Sequence, residues 1–203
     1  ERGQIPLAHL LSPHRRQLRY QLSVRRALVE TRAQYVTTVR GILRGEGKRL
    51  PGGEVEQFTD KLRRAKLQDP LRQLVAPLAN SLDMLNEQIA ELELRLAELC
   101  QTEPVIEQLA TAPGVGLIVA ACFVSVIDEA NRFDRAHQVQ AYLGLVPSEN
   151  TSVKRKLGAI TKQGNSYVRA MLVQASWQIL RLRAEDPLKT WAISCDGGPV
   201  STR

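Results

Sequence analysis

The sequence predicts a mostly α-helical protein, in which a long helical hairpin or coiled-coil linker precedes a small helical domain. Two observations lead to this fold class. Hydrophobic residues make up 43% of the 203 residues but aromatic residues only 4%, which is low for a β-sandwich or barrel. In addition, apolar residues recur at helical spacing over long stretches of the chain. We divide the chain into a linker over residues 1–101, a domain over 102–185 and a tail over 186–203.

The linker contains the strongest helical periodicity. Residues 15–44 contain no proline and only one late glycine, which predicts a long helix that ends near Gly45. A shorter helix follows Pro51-Gly52-Gly53 and extends to about Gln68. Next comes a seam of apolar residues spaced alternately four and three apart, namely Leu78, Leu82, Leu85, Ile89, Leu92, Leu96 and Leu99. The seam can pair with residues 15–44 in an antiparallel hairpin or with a second chain. A seam of three heptads is compatible with both pairings.

The second domain begins with two predicted helices joined by the turn Pro113-Gly114-Val115-Gly116. Glycines at alternate positions permit a tight turn and leave the backbone N–H groups of the following helix, Leu117 to Ile127, facing outward. Such N–H groups suit a phosphate oxygen, as in helix-hairpin-helix motifs that bind DNA without sequence preference. A Pro-Gly turn between two core helices has the same sequence, so a purely structural role is the alternative.

A long basic loop is predicted after Gly144, because the periodicity vanishes from Leu145 to Ile160. The segment Thr161-Lys162-Gln163-Gly164-Asn165 then leads into a last helix, which ends before Asp186-Pro187. We expect residues 186–203 to form a disordered tail.

Charge is segregated along the chain. Residues 15–49 carry a net charge of +8, residues 50–130 carry −7, and residues 131–183 carry +7. A solvated surface does not need such segregation, whereas a polyanionic partner such as DNA favours it. Candidate DNA-binding residues in the second domain are Pro113, Gly114, Val115, Gly116, Lys154, Arg155, Lys156, Lys162, Gly164, Asn165 and Arg169.

The basic loop also offers hydroxyl groups that could act as a nucleophile. A serine there could attack a phosphodiester if cations neutralise the developing charge and a base removes its proton. Besides Glu149, no carboxylate or histidine lies near in sequence to act as that base. The alternative is a loop whose serines only donate hydrogen bonds to phosphates.

Several other functions are disfavoured by the composition. The three cysteines are an odd number, the three histidines do not cluster with them, and the basic blocks contain almost no carboxylates, so we expect no metal site in this chain. The longest apolar stretch, residues 115–127, is too short to span a membrane, and no Walker-type loop is present. The cysteine usage favours a reducing compartment.

The order of motifs in the second domain resembles a known family. The strings Thr111-Ala112-Pro113-Gly114-Val115-Gly116, Arg132-Phe133-Asp134, Ala141-Tyr142-Leu143-Gly144-Leu145-Val146-Pro147 and Thr161-Lys162-Gln163-Gly164-Asn165 resemble the C-terminal domain of transposases of the insertion sequence 110 and 1111 family. The arginine-rich helix and the leucine seam are similar to the helical linker that precedes this domain.

The resemblance implies a longer DNA-cutting and DNA-joining enzyme. Its N-terminal RuvC-like domain would hold divalent metal on four acidic ligands, and its C-terminal domain would supply a serine nucleophile, which falls at Ser152 with Ser148 as the fallback. We expect this chain to be a piece of such an enzyme, inactive without the acidic domain. The resemblance also implies a cytoplasmic, nucleoid-associated bacterial protein. Its partners would be DNA, a guide RNA as in some members of the family, and further copies of itself. The alternatives are a non-catalytic helix-hairpin-helix DNA-binding module and a helical scaffold assembled through the leucine seam.

Overall fold

The computed structural model describes residues 9–151, 155–181 and 187–196, and within these ranges the chain is mostly α-helical, as predicted. The elements follow in the order α1 (Pro13–Gly45), α2 (Phe58–Arg64), α3 (Asp69–Gln101), α4 (Pro104–Ala110), α5 (Leu117–Ile127), a 3₁₀ turn (Ala130–Arg132), α6 (Ala136–Tyr142), β1 (Pro147–Thr151), β2 (Arg155–Ile160), α7 (Ser166–Arg181) and α8 (Pro187–Asp196). They form two compact units, one from Tyr20 to Leu99 and the other from the described residues before Tyr20 and after Leu99. The second unit thus includes the start of α1, which we had assigned to the linker.

The unit from Tyr20 to Leu99 is an antiparallel helical hairpin of α1 and α3. Arg25 bonds to Glu93 at 2.6 Å, and Arg32 further along α1 bonds to Asn86, earlier in α3, at 3.1 Å. Closer still to the end of α1, Val39 and Leu43 share a buried cluster with the early α3 residues Val75, Ala79 and Leu82. Contacts later in α1 therefore involve residues earlier in α3, which shows that the two helices are antiparallel.

The leucine seam of α3 is partly buried inside this hairpin. Leu82, Ile89 and Leu96 are 1%, 4% and 0% exposed, whereas the other four members of the seam are half-buried. The internal hairpin, which was one of the two predicted pairings, is therefore formed. Assembly of a second chain on the remaining surface stays a prediction.

Truncation of a seam residue is expected to destabilise the hairpin. Leu82→Ala should lower the free energy of unfolding by about 3 kcal/mol, because it removes a buried side chain and leaves a cavity. Met84→Ala is the matched control, since Met84 is 59% exposed on the same helix and should cost less than about 0.5 kcal/mol. Equal urea midpoints for the two variants would contradict the burial of Leu82.

Two predictions about the second unit differ from the structure. Instead of a long loop, residues 147–160 contain the antiparallel strands β1 and β2, which pair Pro147 with Ile160 and Glu149 with Leu157. The described side chains of both strands are exposed, so no buried face imposed the alternating hydrophobic pattern that predicts strands. Within the predicted disordered tail, residues 187–196 form α8, which starts at Pro187 and contacts α7, while residues 186 and 197–203 lie outside the described residues. Its large apolar side chains Leu188, Trp191 and Ile193 are exposed, so it lacks the buried stripe that periodicity detects.

Candidate nucleic-acid interface

The turn between α4 and α5 is the first candidate phosphate site. Val115 N–H donates to the Ala112 carbonyl at 3.0 Å, which closes the turn, and Gly114 takes a φ of 76° that favours glycine. Gly116 is the exposed N-cap of α5 and has no side chain to bond the first backbone N–H groups of the helix. Because those N–H groups have no partner within the helix, they suit an anion. Pro113 and Val115 are half-buried beside them.

Gly114 also has a packing role that the sequence did not indicate. A Cβ at this position would lie 2.5 Å from the carbonyl oxygen of Ala175 and 3.0 Å from Cγ1 of Ile179, both in α7. The turn therefore packs directly on the last long helix of this unit. At Gly116, by contrast, a Cβ would meet nothing within 4 Å. Of the two glycines, Gly116 is thus the one with open space for a ligand.

The end of α6 and the entry to α7 are locked together through two glycines, which we call the glycine junction (residues 142–144 and 162–165). Gly144 has a φ of 68° and Gly164 a φ of 103°. A Cβ on Gly144 would overlap the carbonyl oxygen of Gln163, and a Cβ on Gly164 would overlap that of Tyr142. Lys162 N–H donates to the Gly144 carbonyl at 3.1 Å. Two motifs about twenty residues apart in the sequence therefore meet at the base of the β1–β2 hairpin.

Two predicted DNA-binding residues hold this junction in place. Asn165 caps α7, because its Oδ1 accepts the backbone N–H groups of Tyr167 at 3.0 Å and Val168 at 3.1 Å. Arg169 donates from Nη1 to the carbonyl oxygens of Leu143 at 3.0 Å and Gln163 at 3.4 Å. The Asn165 contacts satisfy backbone N–H groups at the start of α7, and the Arg169 contacts satisfy backbone carbonyls at the junction, so both residues have structural roles.

Lys162 is differently placed from these two. Its φ of 56° lies in the left-handed region, which is unusual for a residue with a side chain. The side chain is exposed, whereas the backbone N–H is fixed at the junction. Lys162 is therefore a cation on a rigid backbone, well suited to a phosphate contact.

The β1–β2 hairpin contains the serine candidates. Ser148 is exposed and donates from Oγ to the carbonyl oxygen of Ala159 at 3.0 Å, at an irregularity in the strand register. The backbones of Arg155 and Lys156 belong to β2, opposite Thr151 and Asn150. Ser152 and Lys154 lie outside the described residues. Ser148 is thus engaged across the strands.

A cation–aromatic cluster near the start of α6 was not among the predicted site residues. The guanidinium carbon of Arg132 lies 5.3 Å from the ring centre of Phe133 and 5.5 Å from that of Tyr142. Arg132 Nη1 also donates to the Ile127 carbonyl at 3.0 Å, and the two rings pack edge to face. The Arg-Phe dipeptide was visible in the sequence, but its partner Tyr142 comes from the other end of α6.

Comparison with known proteins assigns a family to part of the second unit. Residues 106–190 match the family model described as Transposase IS116/IS110/IS902 family. Residues 106–190 belong to this transposase family. We call them the transposase segment; they include the turn before α5, the glycine junction and the β1–β2 hairpin. The family predicted from the motifs is therefore confirmed.

Individual relatives extend the similarity beyond the transposase segment. The probable family 20 transposase of Pseudomonas aeruginosa is 29% identical over 168 residues, which cover 78% of this chain and 49% of that protein. The transposase for insertion sequence element IS1111A of Coxiella burnetii is 25% identical over 79% of this chain and 46% of that protein. The putative transposase y4qE of Sinorhizobium fredii is 43% identical over 74 residues, or 36% of this chain and 19% of that protein. The chain spans about half the length of the first two of these relatives.

The described residues contain neither a membrane-spanning helix nor a cluster of metal-binding side chains. No helix there is long and apolar enough to cross a membrane. In the same part of the chain, no three His, Cys, Asp or Glu side chains are grouped so that they could hold a metal ion.

Proposed function

We propose that this chain binds DNA and provides the nucleophilic serine for strand cleavage and joining in a transposase. The observation that supports this most directly is the family match over residues 106–190, which includes every candidate site residue of the second domain. The +7 charge of residues 131–183 supports it, because phosphate contacts dominate sequence-independent DNA binding. The exposed Lys162 and the open N-terminus of α5 would contact the phosphate backbone of the DNA.

Ser152 is the proposed nucleophile. In the sequence it follows Thr151, the last residue of β1, which pairs with Arg155, the first residue of β2. In the proposed step the Ser152 Oγ forms a bond to a backbone phosphorus, and one bond from that phosphorus to a sugar oxygen breaks. The serine proton passes to a base and the sugar oxygen leaves as a hydroxyl after taking up a proton. We expect the acidic domain, which lies outside this chain and would hold a divalent metal, to assist the cleavage step. Binding of a guide RNA and self-association are further proposals.

DNA binding should depend steeply on salt and little on sequence. A fluorescence titration with a labelled 20-base-pair duplex should show affinity falling linearly on a log–log plot as salt rises, with similar curves for unrelated sequences. Lys162→Gln should weaken binding and lower the slope by about 1, because one phosphate contact is lost. A flat salt dependence would contradict the proposed DNA binding.

The serine assignment is tested by covalent adduct formation with DNA. In a complex reconstituted with the acidic domain, Ser152→Ala should abolish the protein–DNA adduct seen on a denaturing gel, whereas Ser148→Ala should keep it. Ser148 is the matched control because its hydroxyl already donates across the strands to Ala159. An adduct lost only with Ser148→Ala would place the nucleophile at Ser148. An adduct that survives in both variants would favour a non-catalytic DNA-binding module.

A further inference from the structure

Two adjoining cavities lie between the end of α1 and α2, within the helical hairpin unit. The larger has a volume of about 430 Å³ and the smaller about 220 Å³, and both are lined by Leu43, Lys48, Arg49 and Leu50. We call the two cavities together the basic pocket. Seven cationic side chains line it, namely Arg40, Arg44, Lys48, Arg49, Lys61, Arg64 and Lys66. No aspartate or glutamate lines either cavity.

The cations of the basic pocket are not neutralised by neighbouring carboxylates. The structure describes every residue of the hairpin unit. Within this unit, no carboxylate lies within 4.0 Å of any of the seven cations. Nearby acids are engaged elsewhere, because Glu56 pairs with Arg32 at 2.8 Å and Glu54 accepts a hydrogen bond from Gln57 at 2.9 Å. A backbone hydrogen bond and, to a lesser extent, the Arg32 contact hold the pKa of Glu56 below its ordinary value, although burial opposes them. Clustered cations without counter-charges repel one another, so this arrangement favours an anionic ligand.

Two backbone carbonyls take part in contacts that hold the pocket in shape. Gly47, with a φ of 66°, allows Lys48 N–H to reach the Leu43 carbonyl at 2.8 Å, which ends α1 and turns the chain towards α2. Lys61 Nζ donates to the Gly52 carbonyl at 3.0 Å, which anchors the connecting segment. Lys48 and Arg49 are themselves exposed.

Arg40 carries a buried donor without a partner at the wall of the basic pocket. Its guanidinium carbon lies 5.5 Å from the ring centre of the buried Phe58, which fixes the side chain at the pocket wall. The Nε atom of Arg40 is buried and has no hydrogen-bond partner. A buried donor without a partner is costly, and a ligand oxygen in the pocket would satisfy it.

We propose that the basic pocket is a second nucleic-acid site, which holds the phosphodiester backbone. A single phosphate would need only a few of the seven cations, whereas two adjoining cavities that share Lys48 and Arg49 suit successive phosphates of one strand. The exposed Lys48 and Arg49 take the first contacts, and the fixed Arg40 binds deeper. The proposal rests on the proposed DNA-binding function but assigns it to a different unit from the transposase segment.

The test compares charge-matched double variants of the whole chain. Lys48→Gln/Arg49→Gln removes two pocket charges, and Arg26→Gln/Arg95→Gln removes two charges that are already paired with Glu30 and Glu91. With a 20-base-pair DNA duplex, the pocket variant should lose about tenfold in affinity and its salt slope should fall by about 2, whereas the control should lose less than twofold. Circular dichroism should show the same helix content for both. A parallel titration with an RNA duplex of the same sequence shows whether the pocket variant loses more affinity for DNA or for RNA.

The outcomes separate this proposal from the function on which it rests. Equal losses for the pocket and control variants, with both duplexes, would overturn the pocket while leaving DNA binding by the transposase segment intact. If the pocket variant weakens binding and Lys162→Gln does not, the pocket is supported and the interface in the transposase segment fails. If the unsubstituted chain binds neither duplex, both proposals fail.

Discussion

Gly144→Ala is expected to unfold the transposase segment. The new Cβ would overlap the backbone of Gln163, which cannot move as a side-chain tip can, and an L-residue would also be strained at a φ of 68°. The expected loss in free energy of unfolding is about 4 kcal/mol or more, in the range reserved for severe core disruption. The measurement is urea denaturation followed by circular dichroism and by Trp fluorescence, because Trp177 and Trp191 lie in the affected unit.

The control for this variant is a glycine in the other unit. At Gly41, in α1, a Cβ would meet nothing within 4 Å, so Gly41→Ala should stabilise its helix by about 0.5 to 1 kcal/mol. Gly164→Ala should reproduce the defect of Gly144→Ala, because its Cβ would overlap the Tyr142 carbonyl from the other side. A Gly144→Ala protein with an unchanged urea midpoint would show that the junction is not closely packed.

Asp128→Ala is expected to release the start of α1 from the rest of the second unit. The Asp128 carboxylate, 5% exposed, accepts hydrogen bonds from the His9 ring at 2.7 Å and from both the backbone N–H and the hydroxyl of Ser12 at 3.2 Å. Arg15 lies 3.8 Å from the same carboxylate. Because charged hydrogen bonds contribute more than neutral ones, we expect a loss of about 3 kcal/mol. Asp128→Asn is the control: it tolerates the φ of 63° at this position and should lose less.

The stabilisation by Asp128 should depend on pH in a defined direction. Burial alone raises the pKa of Asp128, but the hydrogen bonds from His9 and Ser12 outweigh it and hold the pKa below its ordinary value. A carboxyl with a lowered folded-state pKa stabilises the protein fully above its unfolded-state pKa, and the stabilisation is lost as pH falls through the folded-state value. The unsubstituted chain should therefore lose stability below about pH 4 more steeply than Asp128→Asn. If the free energy of unfolding of the two proteins falls equally steeply as the pH is lowered, this account of Asp128 is contradicted.

The long helices could be predicted from the sequence because local signals agree with the tertiary contacts. Helix α1 ends in glycines, which the sequence shows directly, whereas it starts two residues before the predicted start, after Ser12, whose Oγ accepts the Arg15 N–H at 3.3 Å. The seam of α3 was readable for the same reason, since its repeat records which face is buried. The hairpin of β1 and β2 and the helix α8 were not readable, because their described side chains are mostly exposed and leave no periodic trace.

The candidate sites divide in the same way. The sequence by itself determined the helical fold class, the transposase family and the concentration of positive charge, since each depends on residue types at short spacing. Only the tertiary structure decided that Asn165 and Arg169 bond to the backbone and that Gly114 packs on α7. It also decided that Lys61, Arg64 and Lys66, counted within an acidic block of the sequence, join Lys48 and Arg49 around one pocket. The reason is physical: a chain fold brings distant residues within a few ångströms, and neither periodicity nor charge counting along the chain records those distances.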